Sequence, residues 1–478
     1  MNKYLFILGF VGTALFTACS TADDLVAEDP NGTPPDETTK ETTLIVEASQ
    51  NSEIPITLGV GQSRGYTRAP IDPTNVDEET KFGNFETEDG RYLGVFCLAT
   101  DYQELFKDNP PIENNWTDND DTGLIMRMKN VPAKVAYNGT TLTYDVIFPN
   151  FSSEDPLVDV YYYPMGNWMK YNFYAYYPWQ DEELYNKTLT FKNNRVLEKY
   201  YEIDGSQDII WGMADPAAVI DEGDELPAEA KPFCAKYYRW RKNHIPAEKT
   251  IANYYPELKF YHKLAQFRFF VKAAKASDNP SDHTILDKLT AMNMQVTDMY
   301  IGNAINRLEL VVADQSGKYD GDLFWFGNYL ATKALPIKAI GSDTDRFVDG
   351  EDEGDEVDNP LEITTDDKDE VLTGDPVGYI MLAPPSIPSF NATFSNNPSE
   401  EPATNKHIYQ LYLKVKYDTA SGGTDTNVLA LSLDPLVVGL ETFDEGNIYN
   451  IIVNVQSPEQ ISATAVLQEW KPGGTYQY

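Results

Sequence analysis

The chain has few residues of the kinds that build catalytic, metal or disulfide sites. Its 478 residues include four histidines and three cysteines. Three cysteines are too few for a disulfide framework, and the four histidines are scattered without a zinc-binding spacing. No P-loop is present, and no GxGxxG motif opens a helix. The sequence therefore predicts no enzyme, with no catalytic, cofactor or metal residues to assign.

Positive charge is scarce as well. The chain holds 37 Lys and Arg against 75 Asp and Glu, a formal net charge of −38. Because nucleic-acid phosphates are bound by cations, this balance excludes a nucleic-acid partner. The densest acidic run is 341–370. Clustered carboxylates suit calcium, but the EF-hand spacing is absent, so we interpret the run as a solvated insertion and leave calcium binding open.

The chain is rich in aromatic residues and in stretches where apolar and polar residues alternate. Aromatic residues make up 13 % of it, with 31 tyrosines, a composition typical of β-sheet. Along 258–271 the apolar positions run in one phase up to Leu264 and in the opposite phase from Phe267. Since strand side chains alternate, this slip predicts a bulge near Ala265–Gln266. We interpret 258–271 as the first core strand of a second domain, with His262 as a core histidine.

Similar patterns predict further strands before and after this stretch. Asn138-Gly139 between two apolar runs predicts a hairpin. The other predicted strands are Thr43–Val46, Ile54–Val60, one within Phe82–Ala99, Gly123–Val131, Leu142–Phe148, Asp208–Gly212, Leu308–Val312, Leu323–Phe326, Val377–Ala383, Ile408–Tyr417, Val428–Leu433, Ile448–Val455 and Ile461–Trp470.

An aromatic cluster fills 161–178, where nine of eighteen residues are Tyr, Phe or Trp. Aromatic side chains on a strand usually face a core and stabilise it through cross-strand pairs. The alternative is a sugar-stacking platform that includes Trp168 and Tyr174. We prefer the interpretation that these residues form a core, and we keep the sugar-stacking platform as an alternative.

The N-terminus has the pattern of a lipoprotein signal. Residues 1–18 carry one lysine and then an apolar run that is too short to span a membrane. The run ends in small residues before Cys19, which resembles a lipobox and predicts lipidation of Cys19. Residues 19–42, poor in apolar residues, are predicted to form a flexible tether. Cys97 and Cys234 either pair or remain as two buried thiols.

Four motifs in a fixed order resemble one family. They are YNFYAYYP at 171–178, DIIWG at 208–212, HKLAQFRF at 262–269, and YNIIVNV with AVLQEW between 449 and 470. Their order and spacing are similar to those of the fimbrillin-like surface lipoproteins of Bacteroides-type bacteria. The resemblance implies an all-β fold of two tandem β-sandwich (transthyretin-like) domains with long loops, 69–250 and 251–478. It also implies a structural role in cell-surface fimbriae and in adhesion, on the outer membrane.

Maturation and assembly are likewise implied by the resemblance. An Arg-specific protease removes an N-terminal strand in that family, which places the cut after Arg68, with Arg64 as second choice. The pro-segment is then 43–68. Its removable strand presents Ile54, Ile56, Leu58 and Val60, and the candidate donor strand presents Ile461, Ala463, Ala465 and Leu467. The partners are other fimbrial subunits, the protease, the outer membrane, and surface ligands. Rival hypotheses are a glycan-binding surface lipoprotein and an exported hydrolase.

Overall fold

The computed structural model describes fifteen stretches of the chain. These are residues 54–60, 92–99, 126–138, 143–149, 159–163, 170–180, 186–191, 194–227, 232–277, 282–326, 332–340, 342–347, 360–364, 376–394 and 407–469. The described structure is mostly β-sheet, as the composition predicts.

Seven strands form a closed barrel in the N-terminal half. In chain order they are β1 (Leu58–Val60), β2 (Leu93–Ala99), β3 (Met126–Asn138), β4 (Thr143–Ile147), β5 (Tyr171–Tyr177), β8 (Ile210–Ala214) and β9 (Glu257–His262). Around the barrel the order is β1-β4-β3-β2-β5-β8-β9. β3 and β4 pair antiparallel across the Asn-Gly hairpin that the sequence predicts. β1 closes the barrel because it pairs antiparallel with β4 and parallel with β9.

A four-stranded sheet lies against the barrel. It consists of β6 (Asn186–Phe191), β7 (Asn194–Glu202), β12 (Arg307–Asp314) and β13 (Leu323–Trp325), in the order β13-β12-β7-β6. One face of this sheet, with Leu308 and Leu310, belongs to the same hydrophobic cluster as the barrel interior. On that face the indole Nε1 of Trp211 in β8 donates to the carbonyl of Val312 at 2.8 Å.

Two further sheets share a second core. One has the order β16-β10-β19-β20, from β10 (Ala265–Ala273), β16 (Gly378–Leu382), β19 (Asn447–Ser457) and β20 (Gln460–Glu469). The other runs β14-β11-β17-β18, from β11 (Gln295–Ile305), β14 (Thr332–Pro336), β17 (Gln410–Asp418) and β18 (Thr424–Ser432), and β15 (Leu361–Glu362) also pairs with β11. Alternating residues of both sheets, Phe267, Ile301, Leu411 and Ile451 among them, are fully buried in one cluster.

The strand at 258–271 is the main correction to the sequence prediction. The phase slip is present, but its cause is a change of sheet rather than a bulge. β9 ends at His262 in the barrel, and β10 begins at Ala265 in the second core. When a chain passes from one sheet to another, the set of alternate positions that is buried can change, just as it does when a bulge inserts one residue.

The first predicted sandwich is also different in the structure, where a closed barrel takes its place. The sheet closes because β1 pairs on both sides. Strand pairing crosses the predicted domain boundary near 250 in three places, at β9 with β8, at β9 with β1 and at β7 with β12. The division into 69–250 and 251–478 stays a prediction.

Helices are few and short among the described residues. They are α1 (Ala235–Lys242), α2 (Thr284–Ala291), a single turn α3 (Phe390–Thr393), and 3₁₀ turns at Pro216–Val219 and Ile251–Tyr254. None of them has the length and apolar character that crossing a membrane requires.

Candidate functional site: the seam of the barrel

Residues 54–60, which we call the seam segment, contain the strand that the family resemblance predicts to be removable. Ile54, Ile56, Leu58 and Val60 are between 0 and 5 % exposed, and all four belong to the barrel core. The residues between them are less buried. The alternating apolar residues of the sequence therefore form a row of side chains that faces the barrel interior. Burial of each such side chain contributes about 1.5–3 kcal/mol.

Backbone hydrogen bonds hold the segment along its length. The amide of Ile56 donates to the carbonyl of Tyr161 at 2.7 Å, and the amide of Tyr163 donates to the carbonyl of Ile54 at 3.1 Å. Farther along, the amide of Gly59 donates to the carbonyl of Pro256 at 2.9 Å. The segment thus bridges 161–163 and β4 on one side and β9 on the other.

The regular ladder of the seam segment is short. β1 has three registered pairs with β4, from Leu58 opposite Val146 to Val60 opposite Tyr144, and two with β9. If the segment left, β4 and β9 would each present unpaired backbone groups across an apolar groove. Unpaired edges of this kind are where an extended chain adds to a sheet.

The insertion between β8 and β9 packs beside the seam. Cys234 caps the N-terminus of its helix α1, and the sulfur of Cys234 accepts from the amide of Tyr237 at 3.5 Å. The ring of Tyr238 lies 5.3 Å from that of Tyr163, the residue that bonds the backbone of Ile54. α1 therefore contacts the core directly beneath the start of the seam segment.

A buried arginine network fixes this insertion. The Arg241 guanidinium is fully buried, pairs with Asp224, and lies 3.7 Å from Asp221. It also lies 4.0 Å from the ring centre of Tyr254. Hydrogen bonds from Lys249 and Tyr254 lower the pKa of Asp221, and the bond from Arg241 lowers that of Asp224. Desolvation and the bond to Asp221 raise the pKa of Tyr254 to about 12. The network keeps its carboxylates ionised and positions α1.

Two thiols lie in the barrel core. Cys97 and Cys234 form no disulfide and are at most 1 % exposed. Burial raises the pKa of Cys97 well above its usual range. Tyr163 belongs to the same buried cluster, and burial raises its pKa strongly. The structure therefore has the thiol form of the two alternatives that the sequence leaves open.

His262 occupies the buried position that its alternation predicts. Its Nδ1 lies 2.6 Å from Oδ2 of Asp208, and both residues are at most 5 % exposed. The pair ties the end of β9 to the start of β8. This is a structural role in the core, as the sequence interpretation has it.

Lys199 is a buried cation that sequence reasoning missed. It is 1 % exposed and lies under aromatic rings, 4.5 Å from the centre of Tyr176 and 5.6 Å from that of Phe96. Its amine has no hydrogen-bond partner among the described residues. Burial lowers its pKa to about 6. The β7 sequence NRVLEKYYE gives no strong alternation, so nothing in it distinguishes Lys199 from a surface lysine.

The remaining predicted residues fall into two groups. Cys19, Arg64, Arg68 and Trp168 lie outside the described residues, and their roles stay predictions. Tyr174, the other proposed sugar-stacking residue, is 4 % exposed in β5 and part of the barrel core. That placement is the one the core interpretation predicts, and it gives a sugar no exposed ring face at this residue.

The predicted donor strand is β20. It pairs antiparallel with β19 from Asn447–Glu469 to Ser457–Gln460 and forms an edge of its sheet. Ala463 is 9 % exposed, Ile461 and Ala465 pack partly against the second core, and Leu467 is 48 % exposed. β20 is therefore a member of its own sheet.

Comparison with known proteins gives structural matches. No protein-family profile matches the chain, and no curated protein matches it either. A fimbrial protein from Bacteroides vulgatus is 12 % identical, with a TM-score of 0.41, over 87 % of this chain and 99 % of that one. Candidate cell adhesion proteins from Bacteroides uniformis and Bacteroides eggerthii are 12 % and 10 % identical, with TM-scores of 0.38 and 0.35. Each match covers 88 % of this chain, and 100 % and 98 % of the other chain, respectively.

The chain resembles fimbrial and cell adhesion proteins. The motif resemblance in the sequence predicts the same kind of relative. The likeness itself assigns no function. A function has to rest on the contacts of the seam segment instead.

Proposed function

We propose that the chain is a subunit of cell-surface fimbriae, or a fimbria-associated adhesion protein, that accepts a strand from a neighbouring subunit. One observation carries this proposal: β1 lies between β4 and β9 and pairs with both. Loss of the seam segment would open two facing strand edges above an apolar groove. A strand with alternating apolar residues would fill this groove and restore the backbone hydrogen bonds.

Proteolysis supplies the trigger in this proposal. A cut after Arg68, or after Arg64, would separate the seam segment from the rest of the barrel, which resumes in the sequence after residue 68. After removal of the signal peptide 1–18, the lipid on Cys19 and the tether 19–42 would hold the precursor at the outer membrane until an Arg-specific protease acts. Four apolar side chains and several backbone bonds hold the segment, so it would leave as a neighbour's strand replaces it.

An acceptor role suits this chain better than a donor role. Ten registered pairs hold β20 to β19, and Ala463 is buried. Donating β20 would therefore expose part of the second core. We propose that the chain accepts a strand and does not donate one, which places it at an end of the fimbria.

The test is N-terminal sequencing of the protein on the cell surface, together with electrophoresis of unboiled samples. We expect the chain to start at Ala69 and to form ladders with other subunits. The Arg68→Gln variant should move the start to Gly65, and the Arg64→Gln/Arg68→Gln variant should remain unprocessed and outside the ladders. A surface protein that retains acylated Cys19 throughout, with no ladders, would contradict the proposal.

A further inference from the structure

A basic stretch stands out in this acidic chain. Residues 231–249 contain six of the 37 lysines and arginines and a single acidic residue, Glu248. α1 lies in the middle of this stretch and ends in cations. Cations near a helix C-terminus are favourable by less than about 1 kcal/mol each. The helix end alone does not require so many.

The cations of α1 are divided between its two faces. Arg241 lies on the buried face with Tyr237 and Tyr238 and is neutralised by Asp224. Arg239 is half-buried and Lys242 is exposed, on the outer side of the helix. Within the described part of the chain, neither Arg239 nor Lys242 has a carboxylate at ion-pair distance. In a chain with twice as many acids as bases, two unpaired neighbouring cations are unexpected.

His244 packs against the C-terminal end of α1. Its ring stacks on Trp240 with 4.4 Å between ring centres and an interplanar angle of 10°, and its Nδ1 lies 2.8 Å from the carbonyl of Trp240. The guanidinium of Arg241 lies 4.7 Å from the same indole. These contacts fix the end of the helix, so Arg239 and Lys242 project from a rigid base. We call Arg239 and Lys242 the basic face.

The basic face lies above one end of the seam. Tyr238, on the opposite side of the same helix, contacts Tyr163, and Tyr163 bonds the backbone of Ile54. An α-helix with its side chains is about 10–12 Å across. The basic face is therefore on the outer side of a helix whose inner side contacts the start of the seam segment through Tyr238 and Tyr163.

The sequence that precedes the seam is strongly acidic. Residues 20–53 contain nine Asp and Glu and one lysine, and Glu47 and Glu53 lie nearest to Ile54. A strand that replaces the seam segment in the same direction would carry its own flank past α1. Charge complementarity therefore selects a flank with carboxylates.

On the basis of the strand exchange proposed above, we propose that the basic face is a binding site for carboxylates on the N-terminal flank of the strand that enters the seam. It recognises an extended segment in which acidic residues precede an alternating apolar run. The net charge of −38 repels such a segment at a distance, and the basic face attracts it at the place of entry. The site thus selects the direction and the register of the incoming strand.

The experiment uses the soluble full chain, residues 20–478 with Cys19 absent, after cleavage by an Arg-specific protease. The probe is a fluorescent peptide of residues 47–60, EASQNSEIPITLGV, and its Glu47→Gln/Glu53→Gln form. Association rates are measured by anisotropy between about 0.02 and 0.5 M salt. We expect the acidic peptide to associate about 10-fold faster at low salt, with the difference lost at high salt.

Matched variants locate the effect. Arg239→Gln/Lys242→Gln should reverse the order of the two peptides at low salt, because the net negative chain then repels the acidic one. Lys414→Gln/Lys416→Gln, with the same charge change on β17, should leave the order unchanged. Equal association rates for both peptides on the unmodified chain would contradict the proposal that the basic face binds carboxylates. They would not contradict strand exchange. Failure of both peptides to bind the cleaved chain would overturn both.

Discussion

The barrel and the C-terminal pair of sheets are completed by very different strands. The barrel is closed by β1, three residues long, at the start of the described chain. The C-terminal sheet is built around β19, eleven residues long, which pairs with β10 over eight positions and with β20 over ten. A short closing strand can be exchanged without reordering the rest. A long central strand cannot.

Their cores differ as well. The C-terminal core is an alternating row of apolar side chains from both sheets. The barrel side buries Lys199 and the hydroxyl of Tyr201, both without hydrogen-bond partners among the described residues, together with two thiols. Buried polar groups without partners cost free energy. In the proposed strand exchange, the barrel would be the region that opens and the C-terminal sheets would stay folded.

Leu58→Asp should have the largest effect on the barrel and little on the C-terminal sheets. Leu58 is fully buried in the seam, and an unpaired carboxylate there should cost at least about 3–5 kcal/mol of the free energy of unfolding of the barrel. The measurement is guanidinium denaturation, followed by hydrogen exchange of β4 and β9. Thr57→Asp, at the half-buried position next to it, is the control, with an expected cost within about 1 kcal/mol. Equal costs for both variants would mean that the seam segment does not close the barrel.

Lys199→Met should stabilise the barrel by on the order of 5 kcal/mol at pH 7. The folded-state pKa of about 6 lies below that of the unfolded chain, near 10.4. Between these values the unfolded chain binds a proton that the folded chain does not. The penalty is therefore fully present at and below pH 6 and disappears as the pH rises toward 10.

The measurement is the free energy of unfolding of Lys199→Met and of the unmodified chain from pH 6 to 10. The gap between the two should narrow steadily as the pH rises. Lys259→Met, on a partly exposed lysine of the barrel, controls for the loss of one positive charge. A constant gap across the range would show that the Lys199 amine remains charged beneath Tyr176.

Leu467→Lys should have the smallest effect, within about 0.5 kcal/mol. Leu467 is 48 % exposed on the edge strand β20, so a charged side chain there reaches water. Ala463→Lys, at a buried position of the same strand, is the matched comparison and should cost about 1–3 kcal/mol because it overpacks the core. Thermal unfolding of the two variants decides this. A large loss from Leu467→Lys would mean that β20 is packed more tightly than its exposure indicates.

Local alternation is sufficient to predict much of the strand content. Three features lie where the sequence predicts them. Alternation of apolar residues predicts the inward-facing row of the seam segment and the aromatic strand β5, and the Asn138-Gly139 turn predicts the hairpin. These features depend on neighbours in sequence, which is why a single chain reveals them.

Pairing between distant strands is not predictable in the same way. The phase slip after Leu264 is the same for a bulge and for a change of sheet, so alternation alone predicts one strand over 258–271. Closure of the barrel depends on β1 meeting β9 some 200 residues away. The basic face requires knowing that Tyr238 and Arg241 point inward, since 231–249 alone shows charge without direction.

The central claim is that residues 54–60 form a replaceable seam, and hydrogen exchange tests it most directly. The full chain is compared with a chain that starts at Ala69. We expect the amides of β4 and β9 that face β1 to exchange at least about 100-fold faster in the shorter chain, with β19 unchanged. Unchanged protection of β4 and β9 would contradict the claim. Loss of protection in β19 as well would contradict it equally, because the seam would then be indispensable to the whole fold.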